Sequence, residues 1–276
     1  MKEIDAPYRL SEERIRFYRE NGFVRLKNVF SAEAIAAYGP RITEKVKALN
    51  TLDLPMDQRT TYQKAFLQVM NIWTKDALVK EFVFGRRLAR IAAELMGTRG
   101  TRLYHDQALY KEASGGFTPW HADQYYWPLA SDHSVTAWVP LQAVPMEMGP
   151  LAFAPKSHTK DLGRDVEISD ASQSKIEKEL LRHELGMVEE PFELGEVSFH
   201  AGWCFHRAGP NKSTRPREVM TVIYMDQEMR LAAPRNENQQ ADWDGWCPGA
   251  KIGELIDTPL NPVLWTREPA AVVSAR

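Results

Sequence analysis

From Thr101 onward the chain breaks into short segments rich in β-branched and aromatic residues, each closed by Gly, Pro, Asn or Asp. "TRLYHDQALYK", "SVTAWVPLQAV", "GPLAFAP", "EVSFHAGWCFH" and "REVMTVIYMD" follow one another at the spacing of an antiparallel sandwich or barrel. Only "SDASQSKIEKELLRHEL", with helical periodicity, interrupts them. The expected fold is therefore mainly β.

The first hundred residues have a different texture. Ser11 caps "EERIRFYREN", a short amphipathic helix stopped by Gly22, although the Glu or Gln of a full capping box is missing at position 14. "FVRLKNV" alternates like a strand. Ser31 caps "AEAIAAYGPRITEKVKAL", in which Pro40 predicts a kink or break. Residues 51–75 are irregular, and "DALVKEFVFGRRLARIAAELMG" reads as two helical pieces ending at Gly97. One domain over 1–276 is expected: a mostly helical brace over 1–100, a β core over 101–230, and an ordered loop over 231–276. Tryptophans in that last stretch would be costly to leave in water, so the loop should cover something.

Composition narrows the function classes. A formal net charge of −2 gives no electrostatic reason to expect a nucleic-acid partner. No run of about 18 apolar residues occurs, so no membrane span is expected, and the N-terminal stretch lacks the apolar core of a signal peptide. The two cysteines, Cys204 and Cys247, make neither a disulfide framework nor a paired metal motif. A cytoplasmic protein acting on a small molecule is the expectation; the oligomeric state is not legible.

The chemistry concentrates in "PWHADQYYWPL". In a strand, His121 and Asp123 project to one face while Ala122 faces the other. Alone, H-x-D is weak evidence, since such a pair is commonly a structural hydrogen bond. A third ligand must come from elsewhere in the chain. Of the other histidines, His105, His200 and His206 lie on strand-like segments, whereas His133, His158 and His183 sit in turns or on the charged helical insertion. Two histidines and one carboxylate on one face of a metal leave three coordination positions open, the pattern of non-haem Fe(II) oxygenases. A 2-oxo acid can fill two of these and O₂ the third. Arg217, eleven residues past His206 and opening the next strand, is placed to hold the far carboxylate of such an acid as a fork. Arg215 is a weaker choice because Pro216 follows it.

The chain resembles the phytanoyl-CoA dioxygenase family of Fe(II)- and 2-oxoglutarate-dependent oxygenases. The resemblance runs from "FYRENGFVRLKNVFSAEAI" through "WHADQYYWPL" and "TAWVPLQAVPMEMGPLAFAPKSH" to "HRAGPNKSTRPR". It implies that His121, Asp123 and His206 ligate iron and that Arg217 binds the C5 carboxylate of 2-oxoglutarate. It also implies that Lys111 reaches the co-substrate and that Trp138 lines the same pocket. The fold it implies is a double-stranded β-helix, a jelly roll of the cupin type with N-terminal bracing helices. Ala122 and Ala208 depart from residues common in the family, but neither departure touches a ligand. Gln107, Gln124, Tyr125, Tyr126 and Trp127 are candidates for the substrate wall.

The implied reaction uses O₂ to hydroxylate an unactivated C–H bond, releasing succinate and CO₂. The same oxidising chemistry can drive desaturation, ring closure or demethylation. A non-catalytic cupin-like binding protein and a metal hydrolase are the rivals from other classes. The intact ligands and the Arg217 anchor speak against the first. The absence of a further acidic base near His121 speaks against the second.

Overall fold

A computed structural model describes residues 1–268. The final eight residues of the expected C-terminal loop lie outside the described residues. The N-terminal part contains α1 (Glu12–Asn21), β1 (Phe23–Leu26), α2 (Ala32–Leu49), α3 (Thr61–Ala65), β2 (Leu67–Met70), α4 (Ala77–Val83) and α5 (Arg86–Met96). The β-rich part contains β3 (Gly100–Tyr110), β4 (Thr118–His121), β5 (Ser134–Pro140), β6 (Leu151–Phe153), α6 (Asp170–Arg182), β7 (Val188–Glu189), β8 (Val197–Ala201), β9 (His206–Ala208) and β10 (Val219–Asp226). Two elements close the described chain, α7 (Glu237–Trp246) and β11 (Val263–Thr266).

Local chemistry sets the helix ends. The Ser11 hydroxyl accepts from the Arg14 N–H at 3.3 Å, and Gly22 takes the left-handed conformation at φ +82° that a Cβ would resist. The expected break at Pro40 does not occur: α2 runs through it. Pro40 is exposed, while Ile35, Tyr38, Ile42 and Val46 on either side are buried. That packing holds the helix across the one hydrogen bond that proline removes.

The strands form two antiparallel sheets, as a jelly roll requires. The larger has the order β1-β8-β5-β10-β3-β11. β2 pairs with the C-terminal half of β3, and β11 with its N-terminal end. The smaller sheet has the order β4-β9-β6-β7. "EVSFHAGWCFH" is thus two strands in different sheets, turned at Gly202–Cys204.

Alternation divides the larger sheet into two faces. Val135, Ala137 and Val139 of β5, with Met220, Val222 and Tyr224 of β10, join the helices in the main core. Thr136, Trp138 and Thr221 face the other way, into a cavity between the sheets. α6 packs on the smaller sheet through Ile176 and Leu180, against Trp120 and Phe205. The C-terminal stretch is more ordered than a loop. It carries α7 and β11, and Trp243 and Trp246 pack on a core cluster with Tyr104, Trp127 and Ile223.

Candidate active site

His121 ends β4, and His206 opposite it opens β9; the two residues are register partners. Asp123 does not lie on the same strand. Ala122 is still extended, at φ −125° and ψ 130°, but Asp123 begins a 3₁₀ turn over Asp123–Tyr126. The single extended residue is enough to turn His121 and Asp123 to one side. His121, Asp123 and His206 each offer a ligand atom, all within 4.8 Å of one another. His121 Nε2 lies 3.7 Å and His206 Nε2 3.6 Å from Asp123 Oδ1.

Neighbouring groups decide which atoms are free. His121 Nδ1 lies 2.8 Å from Pro119 O, and His206 Nδ1 lies 3.0 Å from Cys204 O. A carbonyl only accepts, so both Nδ1 atoms carry the proton and both Nε2 lone pairs face the carboxylate. Burial, and after it the His206 ring, pushes the His121 imidazole down to about 4. Burial and the His200 ring do the same to His206. Burial alone would raise the Asp123 carboxyl, but the attraction of His206 and the hydrogen bond from His200 hold it well below the usual carboxylate range. At neutral pH, two lone pairs and a carboxylate oxygen therefore converge with no proton between them. A bound cation resolves that repulsion, and imidazole with carboxylate suits ferrous iron.

The second oxygen of Asp123 is occupied. Asp123 Oδ2 accepts from Thr136 Oγ1 at 2.9 Å and from His200 Nε2 at 3.2 Å. Thr136 and His200 are direct register partners across β5 and β8, so one cross-strand pair fixes the carboxylate and leaves Oδ1 for a metal. His200 is thus neither mere packing nor a member of the three-residue cluster.

Arg217 is 1% exposed, and its Nη1 donates to Gly149 O. Its Nε has no hydrogen-bond partner, and no carboxylate pairs with it among the described residues. The guanidinium lies 5.3 Å from the Trp138 ring centroid, and Trp138 Nε1 is also buried without a partner. Burial pushes Arg217 down to about 9. A buried cation with a spare N–H beside an unpaired indole N–H has the chemistry to receive an anion. Lys111 stands behind it and does not line the cavity. Its Nζ donates to Gly116 O, to Thr118 Oγ1 at 3.3 Å and to Gly209 O at 3.0 Å. Burial, then Arg217, pushes its amine down to about 6.

The three-residue cluster, Arg217 and Trp138 share one cavity of about 480 Å³. Of the five residues expected on the substrate wall, Gln107, Tyr126 and Trp127 line it. Gln124 instead bonds to Ser134 Oγ and the Ser131 carbonyl beneath the site, and the Tyr125 carbonyl accepts from Gln239 of α7. Sequence reading missed Tyr62 and Gln68, which form a chain Tyr62 Oη–Gln68–Gln107 along the wall with distances of 2.8 and 2.6 Å. It also missed Asp242 and Trp246 of α7.

Residues 18–219 match the family described as phytanoyl-CoA dioxygenase. A protein of Stutzerimonas stutzeri described as a probable alpha-ketoglutarate-dependent hypophosphite dioxygenase is 26% identical over 229 residues, 77% of each chain. The 1-deoxypentalenic acid 11-beta-hydroxylase of Streptomyces exfoliatus is 27% identical over 265 residues, 90% of this chain and 91% of that one. Among solved structures, the non-haem alpha-ketoglutarate-dependent carbocyclase SnoK from nogalamycin biosynthesis superposes with a TM-score of 0.76 at 25% identity, covering 94% of this chain and 99% of SnoK. The epimerase SnoN, solved in complex with Fe3+, alpha-ketoglutarate and nogalamycin RO, shares the fold with a TM-score of 0.73 at 24% identity, covering 92% and 98%. With the matched span carrying His121, Asp123, His206 and Arg217 together, the chain belongs to the phytanoyl-CoA dioxygenase family of 2-oxoglutarate-dependent oxygenases.

Proposed function

We propose that His121, Asp123 and His206 hold Fe(II), that Arg217 holds the far carboxylate of 2-oxoglutarate, and that the enzyme hydroxylates an unactivated C–H bond of a small molecule. The observation that carries this reading is the pairing, in one cavity, of a proton-free two-histidine, one-carboxylate cluster with a buried arginine that has no carboxylate of its own among the described residues. Either feature alone has a structural explanation; together they match the two ends of one co-substrate. Bound there, ferrous iron with 2-oxoglutarate and O₂ supplies the oxidising power: one oxygen atom enters the substrate, the other enters succinate, and CO₂ leaves.

The chain's own residues orient and exclude. Pro119 and Cys204 carbonyls fix the two imidazole tautomers, and Thr136 with His200 fixes the carboxylate. Arg217 and the Trp138 indole set the direction of the co-substrate from the far end. Lys111 shapes that end by holding the Gly116 and Gly209 carbonyls and so supports Arg217 from behind. Tyr126, Trp127 and Trp246 roof the opposite end and keep water from the reacting bond. The two cysteines are free and buried, as in a reducing compartment, and we place the protein in the cytoplasm without a nucleic-acid or membrane partner.

The test is anaerobic titration with Fe(II) and 2-oxoglutarate, followed by the weak visible charge-transfer band of the chelate. The band is expected in the wild type and lost in His206→Ala. Iron binding without the band, or no iron binding, overturns the reading in favour of a non-catalytic binding protein. Product analysis then separates hydroxylation from desaturation, ring closure or demethylation.

A further inference from the structure

We infer that the end of the cavity remote from Arg217 binds a substrate bearing a basic nitrogen, docked on the carboxylate of Asp242. The inference rests on the oxygenase reading of the opposite end and adds the charge class of the substrate.

The charges of the cavity wall are unevenly placed. Four charged residues line it: Asp123, Arg217, Glu167 and Asp242. Asp123 and Arg217 are used by the metal and co-substrate end. Glu167 and Asp242 remain, and no lysine or arginine joins them on the wall among the described residues. The surfaces around them are the rings of Tyr62, Phe66, Tyr126, Trp127 and Trp246. Aromatic faces with a carboxylate and no cation attract positive charge and repel anions.

Asp242 is built into this end. Asn236 caps α7 by accepting from the Gln239 N–H at 2.8 Å, and Gln239 ties the helix to Tyr125 O at 2.9 Å. Asp242 Oδ2 then accepts from the fully buried Tyr104 hydroxyl at 3.0 Å. Asp242 forms no ion pair among the described residues. Burial pushes its carboxyl up to about 7, so a cation beside it restores its charge.

His105 is a second, independent polar group at this end of the cavity. It is 2% exposed, lines the cavity, and its Nδ1 has no hydrogen-bond partner. Burial keeps the ring neutral, pushing it down to about 4, so it adds no positive charge. Its ring centroid lies 5.6 Å from that of Trp246 on the same wall. An ammonium has three protons to donate, and Asp242 and His105 are two acceptors on one wall. A carboxylic acid, a phosphonate or an acyl-CoA would meet two acids and no cation there.

The experiment uses the full-length enzyme loaded anaerobically with Fe(II) and 2-oxoglutarate. The probes are matched pairs that differ in charge: tryptamine against indole-3-propionate, and phenethylamine against hydrocinnamate. Binding is read from the perturbation of the charge-transfer band. The amine of each pair should bind about tenfold tighter, the scale of one charge-assisted hydrogen bond. Asp242→Asn should erase that preference and Asp242→Glu should retain it, while the band itself reports that each variant folds. Equal or tighter binding of the acids, no response to either member, or an unchanged preference in Asp242→Asn overturns the inference. If the band never forms, the oxygenase reading fails as well; if it forms without the preference, only the assignment of Asp242 fails. Should Asp242→Asn not fold, the wild-type preference and its survival in Asp242→Glu decide the matter.

Discussion

Replacing Arg217 by Met should make the protein more stable and less able to bind 2-oxoglutarate. The guanidinium is buried without a carboxylate among the described residues, and burial has pushed it from 12.5 down to about 9. At about 1.4 kcal/mol per pH unit, the charged form is disfavoured in the folded protein by at most about 5 kcal/mol. The bond to Gly149 O and the Trp138 ring offset part of that. Methionine keeps much of the aliphatic packing and removes the charge, and replacing buried ionic groups by apolar ones commonly stabilises by about 1–4 kcal/mol. At about 2–4 °C per kcal/mol for a chain near this size, the melting temperature of the co-substrate-free variant should rise by several degrees. On the proposed function, the variant loses a bidentate contact to the co-substrate, at about 2–5 kcal/mol, which is roughly a thirtyfold or greater weakening of Kd. Adding 2-oxoglutarate at a hundred times the wild-type Kd, with Fe(II) under anaerobic conditions, stabilises the wild type by about 2.7 kcal/mol and the variant much less. The order of the two melting temperatures should therefore narrow or reverse. Differential scanning fluorimetry with and without co-substrate reads both halves. A variant that melts lower without the co-substrate yet responds to it like the wild type would make Arg217 a structural post and refute the anion-site argument.

Three further outcomes follow from the same geometry. Thr136→Val removes one of the two hydrogen bonds on Asp123 Oδ2, and His200→Phe removes the other; each should weaken Fe(II) binding about 10–100-fold in anaerobic titration with little change in fold. Unaltered iron affinity in both variants would show that the carboxylate needs no second anchor. For pH, His105 is near 4 when folded and near 6.5 when unfolded. The unfolded chain thus takes up a proton that the folded protein refuses, and stability falls as pH drops from about 6.5 to 4, by at most about 3 kcal/mol from this residue. His105→Gln should flatten the acid limb of the urea-denaturation profile by that amount, and an identical slope would place the loss elsewhere. Trp138→Phe keeps the ring near Arg217 but deletes the unpaired indole N–H; it should raise the Kd for 2-oxoglutarate by up to about tenfold if that N–H donates to the co-substrate, and leave it unchanged if the ring only packs.

The parts of the site legible in the sequence are those whose geometry is local. One extended residue between His121 and Asp123 suffices to bring their side chains together, and it does so even though Asp123 leaves the strand for a 3₁₀ turn. What escaped depends on register or on elements without an apolar stripe. His200 orients Asp123 only because β8 lies beside β5 with His200 opposite Thr136, and no pattern within "EVSFHA" encodes that pairing. β2 is four residues with a glutamine in the middle, and it exists as a strand through its pairing with β3. α7 is the sharpest case. It turns Gln239, Asp242 and Trp246 inward, two of them polar, so its inner face lacks the apolar periodicity by which a helix is recognised. A helix that buries polar groups in place of a hydrophobic stripe gives up packing energy, and the local price is justified where those groups meet a ligand. The proposed metal and co-substrate end has a pattern in the sequence because its chemistry is shared across a family. The proposed substrate end has none, because its distinguishing residues sit on elements that only the folded chain brings together.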